Sequence, residues 1–292
     1  MNATVSLRSV FLATASCLAL HCASGQTARL DLAADFKRTS DFDAAALEYR
    51  RACSEAEDDS IRGTLLLLAA DAYGRAGDWA RMETMLDDAE DLGSADSDSS
   101  IVYQWLRMRQ AEGSGQWASA ALWGESAMRD SDGRLASAIS RNTIADYLCA
   151  GNIEEAERIA GDMADNVAAS QVSAYQMGSD KSPAVGGLLG IVPGMGYAYS
   201  GEWGNMVRSM LLNGLFGWAM IATARDDEWA LFSAAAFFEL TWYTGSIYGG
   251  IDAAHRYNRA RFSSTVDAIR ESSEPVVEIG SKMPLLRLRL VF

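Results

Sequence analysis

The stretch Tyr73-Gly74-Arg75-Ala76-Gly77-Asp78-Trp79-Ala80-Arg81-Met82 decides how the first half of this chain folds. A bulky aromatic closes an apolar run, a glycine follows four residues on, and an acid and a second aromatic come next. Glycine in that place ends a helix in the left-handed conformation, and the adjoining Asp caps the helix that follows. The same arrangement recurs at Ser40-Asp41-Phe42, Gly115-Gln116-Trp117 and Gly151-Asn152-Ile153, at spacings of 37, 38 and 36 residues. Self-similarity at such a period predicts an array of helix pairs. Each turn is followed, at matching offsets, by small or apolar residues: Ala45, Tyr49 and Ala52; Met82, Leu86 and Ala89; Ala120, Gly124 and Ala127; Ala156, Ala160 and Met163. Steps of three and four put each set on one helical face. Phe36, Tyr73 and Tyr147 stand four residues before their turns, where Ala111 stands in the third repeat.

Charge divides the chain at the same place as pattern. The formal net charge is −14, with 29 acidic and 15 basic residues from Gln26 to Lys181 but 10 and 9 from Ser182 onward. An acidic module lacks the clustered Lys and Arg that phosphate backbones require, so nucleic acid is excluded as a partner. The acidic face reads as a solvated surface. The polar stretch from Gly93 to Ser100 reads as a flexible linker. It lacks the glycine and downstream glutamate that a helix-loop-helix calcium site needs.

The Gly-Asp-Trp turn with small residues at those offsets resembles the tetratricopeptide repeat family over residues 28–170. The terminal proline of that motif is absent, and paired helices without the family superhelix are the alternative. The resemblance implies a surface that binds peptides or proteins rather than a reaction. Consistent with this, no catalytic, cofactor or metal constellation emerges. Beyond residue 25 there are two cysteines, Cys53 and Cys149, and one histidine, His255. Both cysteines read as small interior residues rather than a disulfide, because helices 8–10 Å apart hold most Cα pairs beyond bridging distance.

Residues 1–25 carry Arg8, an apolar run from Val10 to Leu20 and the small residues Ala23, Ser24 and Gly25. That is the pattern of a cleaved export signal, too short to span a bilayer. It predicts an exported protein on the periplasmic side of a bacterial cell envelope, membrane-associated, with inner or outer membrane left open.

Beyond Ser182-Pro183 the composition turns apolar. Two segments, 204–224 and 229–250, flank the polar Arg225-Asp226-Asp227-Glu228. At 1.5 Å per residue each matches a hydrocarbon core of about 30 Å, which predicts a transmembrane helical hairpin. Arg208, Asn213 and Glu239 oppose insertion; a central acid costs about 2.5–3.5 kcal/mol. A hairpin buried in protein, or one lying within a single leaflet, remains the alternative. Arg256, Arg259 and Arg261 would also fall on the wrong side for the positive-inside rule.

The run Pro193-Gly194-Met195-Gly196-Tyr197-Ala198-Tyr199-Ser200-Gly201 resembles the two-helix module called the TM2 domain, with Gly196 and Ala198 replacing its usual His and Phe. Residues 182–260 further resemble uncharacterised bacterial envelope proteins. The likeness is carried by Trp242-Tyr243-Thr244-Gly245-Ser246-Ile247-Tyr248-Gly249 and Ala254-His255-Arg256-Tyr257-Asn258. It implies that Pro193, Gly194, Gly196, Tyr199, Gly201, Asn213, Glu239, Trp242, Tyr243, Gly245, Tyr248, Gly249, His255, Tyr257 and Asn258 are packing or motif residues. Gly245 and Gly249, four apart, suit close helix approach.

The tail, 261–292, reads as an amphipathic helix to Arg270 and then strands at Val276–Ile279 and Leu286–Phe292. The fold expected is mainly α: an antiparallel, tetratricopeptide-like helical-repeat solenoid (26–175), an apolar helical hairpin (182–260), and a short C-terminal β-hairpin or strand. The function expected is a non-enzymatic envelope scaffold or adaptor that binds a protein partner through the repeat. It associates with membrane lipid or a membrane-protein complex through residues 182–260, and homo-oligomers are possible. The alternative is an oligomeric transport or channel component with Glu239 and Asn213 on a polar path.

Overall fold

The computed structural model describes residues 26–93, 100–131, 133–271, 275–279 and 286–290. The protein is mainly helical. Helix α1 covers residues 26–38. It is followed by α2 (Phe42–Glu55), α3 (Asp59–Ala76), α4 (Trp79–Asp91), α5 (Ser100–Gly113), α6 (Trp117–Asp130), α7 (Gly133–Cys149), α8 (Ile153–Asp162) and α9 (Asn166–Met177). Then come α10 (Pro183–Leu189), α11 (Met195–Tyr199), α12 (Trp203–Arg225) and α13 (Trp229–Arg270), and two strands, β1 (Pro275–Ile279) and β2 (Leu286–Leu290). The export-signal region, 1–25, lies outside the described residues, as does most of the polar linker, 94–99.

Four helix pairs, α1/α2, α3/α4, α5/α6 and α7/α8, close on the same hydrogen-bonded turn. Ser40, Gly77, Gly115 and Gly151 have φ of 61°, 79°, 72° and 77°. In each turn the amide one residue on bonds back to the carbonyl five residues earlier: Asp41 to Phe36 at 2.9 Å, Asp78 to Tyr73 at 3.0 Å, Gln116 to Ala111 at 2.8 Å and Asn152 to Tyr147 at 2.8 Å. This 6→1 closure with a left-handed residue inside it satisfies carbonyls that a helix end otherwise leaves open. The side chains of Asp41, Asp78 and Asn152 then accept from backbone amides of the next helix; Gln116 makes no such bond.

The stripes after the turns face inward. Ala45, Ala52, Leu86, Ala89, Ala120, Ala127 and Ala156 are wholly buried, and Tyr49 and Met82 nearly so. Alanines at these positions let neighbouring helices close up, while Leu65, Leu67 and Leu68 of α3 fill the space between pairs. At Gly124 a side chain would strike Thr143, so the third pair needs a glycine there. Cys53 is buried, Cys149 is partly buried, and both thiols are free.

The described chain separates into two compact units. The first runs to Ala169 and takes in the chain from Ile269; the second is Ser170–Ala268. Helix α13 runs unbroken through residue 261, so the amphipathic tail helix and the second apolar segment are one helix. The tail joins the first unit because Ile269 and Val277 are buried apolar residues and Arg270 pairs with acids of α5 and α7. Strands β1 and β2 pair antiparallel, with Val277 opposite Leu288, and pack against α5 and α7. Residues 280–285, where a hairpin turn would fall, lie outside the described residues.

The expectation of transmembrane helices is corrected here. Among the described residues, no helix is long and apolar enough to cross a membrane. The cause lies in the side chains that interrupt the apolar segments: Arg208, Ser209, Asn213 and Thr223 on α12, and Ser233, Glu239, Thr241, Thr244 and Ser246 on α13. Length and apolar composition suggested a span; these polar side chains remove it.

Candidate functional site

The glycine- and aromatic-rich motif of the second unit forms a junction of three backbones. Gly186 of α10, Gly196 of α11 and Gly250 of α13 meet so closely that a Cβ on Gly196 would lie 2.5 Å from the Gly186 carbonyl oxygen and 2.7 Å from the Gly250 Cα. A Cβ on Gly250 would strike the same carbonyl. Gly249 is pinned differently: the Tyr197 phenol occupies the space its side chain would need. Around Gly245, by contrast, no heavy atom lies within 4 Å of a Cβ position. Close approach is therefore made by Gly249 and Gly250.

Gly194, with φ of 87°, follows Pro193 and starts α11. Its amide donates to the Ser246 hydroxyl at 3.1 Å; Ser209 Oγ donates to that hydroxyl at 3.1 Å, and Asn213 Nδ2 donates to the Ser209 carbonyl at 2.7 Å. This buried polar thread joins the loop to α12 and α13. Asn213 Oδ1 is left without a partner. Glu239 Oε2 is also buried and unpartnered, and burial pushes its carboxyl above the ordinary value. No hydrogen bond joins Glu239 to Asn213.

The remaining motif residues hold the ends. Asn258 clamps the Lys181 backbone, accepting from its amide at 2.7 Å and donating to its carbonyl at 2.9 Å. The Lys181 ammonium stands 4.8 Å from the Tyr199 ring centroid and 5.4 Å from that of Tyr257, within cation–π range. Tyr199 Oη accepts from the Ser182 amide at 3.0 Å. Gly201, with φ of 81°, repeats the turn of the first unit: the Glu202 amide bonds to the Tyr197 carbonyl at 2.9 Å. Arg256 forks onto both Glu202 oxygens at 2.8 Å, which holds that carboxyl below its usual value. Trp242, Gly245, Tyr248 and His255 are exposed and Tyr243 is half-buried. Tyr197 and Ser246 stand inside the quoted motifs without being singled out, and Ser209, Gly186 and Gly250 were not named as site residues; the doublets Gly186-Gly187 and Gly249-Gly250 were the available signal.

Two grooves accompany this framework. In the second unit, one of about 630 Å³ is lined by Tyr197, Asn205, Arg208, Ser209, Leu211, Leu212, Trp242, Gly245 and Ser246. In the first unit, one of about 420 Å³ crosses α2, α3 and α4 between Arg50, Cys53, Ser54, Arg62, Leu66, Met85, Asp88, Asp91 and Leu92. The first unit also buries a charge cluster. Arg270 donates to Glu112 at 3.0 Å and to Asp146, which is fully buried; Arg109 pairs with Glu112 at 2.9 Å. Burial first, and then Glu112, push the Asp146 carboxyl up to about 9 against the pull of Arg270. A proton on Asp146 relieves its repulsion with the neighbouring Glu112 carboxylate.

Comparison with family models, with curated proteins and with solved structures yields no match.

Proposed function

We propose that this chain is a non-enzymatic exported scaffold whose four helix pairs form a tetratricopeptide-like solenoid that binds a protein partner. The observation that carries the reading is the turn repeated four times with one hydrogen-bond pattern, because stacked helix pairs offer an extended binding surface. The groove across α2, α3 and α4 is the proposed peptide site. Arg50 and Arg62 on one side and Asp88 and Asp91 on the other would read a segment of mixed charge. The second unit supplies attachment: Trp218, Leu215, Phe237 and Leu240 are large, apolar and exposed on α12 and α13, and contact with an apolar partner surface would cover them.

Photo-crosslinking in cells tests this on the full chain. A benzophenone side chain at Ser54 or Asp91 should capture a protein partner, whereas one at Glu154 in the fourth pair should not. Crosslinks from the second unit with none from the groove would overturn the reading.

A further inference from the structure

The groove of the second unit sets one charged side chain against apolar walls. Its walls are mostly apolar, and Leu211 and Trp242 are 68% and 46% exposed there. Arg208 is the one charged residue among those lining it. Elsewhere in this unit Arg256 pairs with Glu202 and Asp252 and Arg261 with Asp180, while Arg225 and Arg259 do not line the groove. Among the described residues, the Arg208 guanidinium bonds to the Asn205 amide oxygen alone, at 3.5 Å, the outer limit of a hydrogen bond. Tyr197, Ser209 and Ser246 also line the groove and bring hydroxyls to it. Gly245 leaves the wall without a side chain, and nothing else fills that space. About 630 Å³ lies within the range of small-molecule sites.

We propose that this groove binds one molecule of a single-chain anionic amphiphile. The carboxylate or phosphate head sits on Arg208 with the neighbouring hydroxyls, and the chain lies along Leu211, Leu212 and Trp242 past Gly245. A guanidinium offers paired donors that match either head group. The choice of a monomeric amphiphile over a bare apolar partner rests on charge: an uncovered apolar wall alone has no use for an unmatched cation at its edge. This site is separate from the peptide groove of the repeat, so it stands or falls independently of that reading.

Isothermal titration of the full chain with dodecanoate, dodecyl phosphate and dodecyltrimethylammonium, each below its critical micelle concentration, tests the proposal. One equivalent of at least one of the two anions should bind, and the cation at least ten-fold more weakly. The two anions distinguish a carboxylate from a phosphate head. Arg208→Gln should weaken anion binding at least ten-fold. Gly245→Leu should abolish it while the helical circular dichroism persists; if that variant misfolds, Trp242→Ala, with an expected loss of five-fold or more, takes its place. Equal binding of the cation, indifference to Arg208→Gln, or binding to phosphatidylglycerol vesicles without binding of either monomer would each overturn the proposal.

Discussion

The two units are both helical but dispose of their apolar side chains in opposite ways. In the first, Leu65, Leu67, Leu68, Leu86 and Leu106 are at most 2% exposed. In the second, Leu211, Leu215, Ile221, Leu231 and Leu240 are each at least 56% exposed. One unit is held by side chains packed between helices; the other is held by glycines where backbones touch and by a thread of hydroxyls and amides. Apolar composition therefore says little about burial here. What matters is whether the apolar residues occupy one helical face or the whole circumference, since a helix apolar all round cannot indicate its packing side.

The comparison breaks most visibly through leucine truncation. Leu67→Ala, wholly buried in α3, should cost about 2–5 kcal/mol by urea unfolding. Leu215→Ala, 56% exposed on α12, should change stability by no more than about 0.5 kcal/mol. Equal losses would mean that α12 is covered in the free protein.

Glycines should show the reverse ordering. Gly250→Ala forces a methyl against the Gly186 carbonyl and should cost about 1–3 kcal/mol, read as a lowered melting temperature of the second unit. Gly245→Ala, with open space around it inside a helix, should stabilise by up to about 1 kcal/mol from helix propensity alone.

The buried acid Asp146 gives the first unit a pH dependence. The Asp146 carboxyl rises from 3.8 to about 9 on folding, so the folded state holds its proton more tightly than the unfolded state. That contribution is fully present below the ordinary carboxyl pKa of 3.8 and is lost as pH rises toward the folded value, because only the unfolded state ionises in between. Asp146→Asn, which can still accept from Arg270, should flatten the slope between pH 5 and 8.5 in urea titrations. A slope unchanged in the variant would place the titrating group elsewhere.

The smallest effect concerns the one uncapped turn. Gln116 makes no side-chain cap, whereas Asp78 in the equivalent place accepts from the Arg81 amide at 2.9 Å. Gln116→Asp should therefore stabilise the third pair by about 0.5–1 kcal/mol, and Asp78→Ala should cost about 1 kcal/mol. Thermal melts of the two variants should move in opposite directions.

The helix-pair turns were legible in the sequence because their causes are local. A left-handed residue, a cap beside it and a bulky side chain four residues earlier all fall within one short window, and Phe36, Tyr73, Ala111 and Tyr147 each supply the accepting carbonyl. The Arg270 cluster was not legible, since its bonds to Glu112 and Asp146 span 158 and 124 residues with no pattern between them. The motif residues from Pro193 to Asn258 could be picked out, but not their partners. Gly245 and Gly249 share one helical face, yet it is Gly249 and Gly250 that meet other atoms, because contact depends on where Tyr197 and Gly186 arrive from. The transmembrane reading failed on a balance of polarity: the segments had the length, while Arg208, Asn213 and Glu239 made them too polar to span.

Hydrogen–deuterium exchange on the full chain carrying Gly250→Ala tests most directly the claim that two different kinds of packing hold this molecule. Protection should fall across α10, α11, α12 and the part of α13 within the second unit, while α2 to α8 keep wild-type protection. Loss of protection spreading uniformly through α2 to α8 would show that the repeat draws its stability from the glycine junction, and would contradict the account.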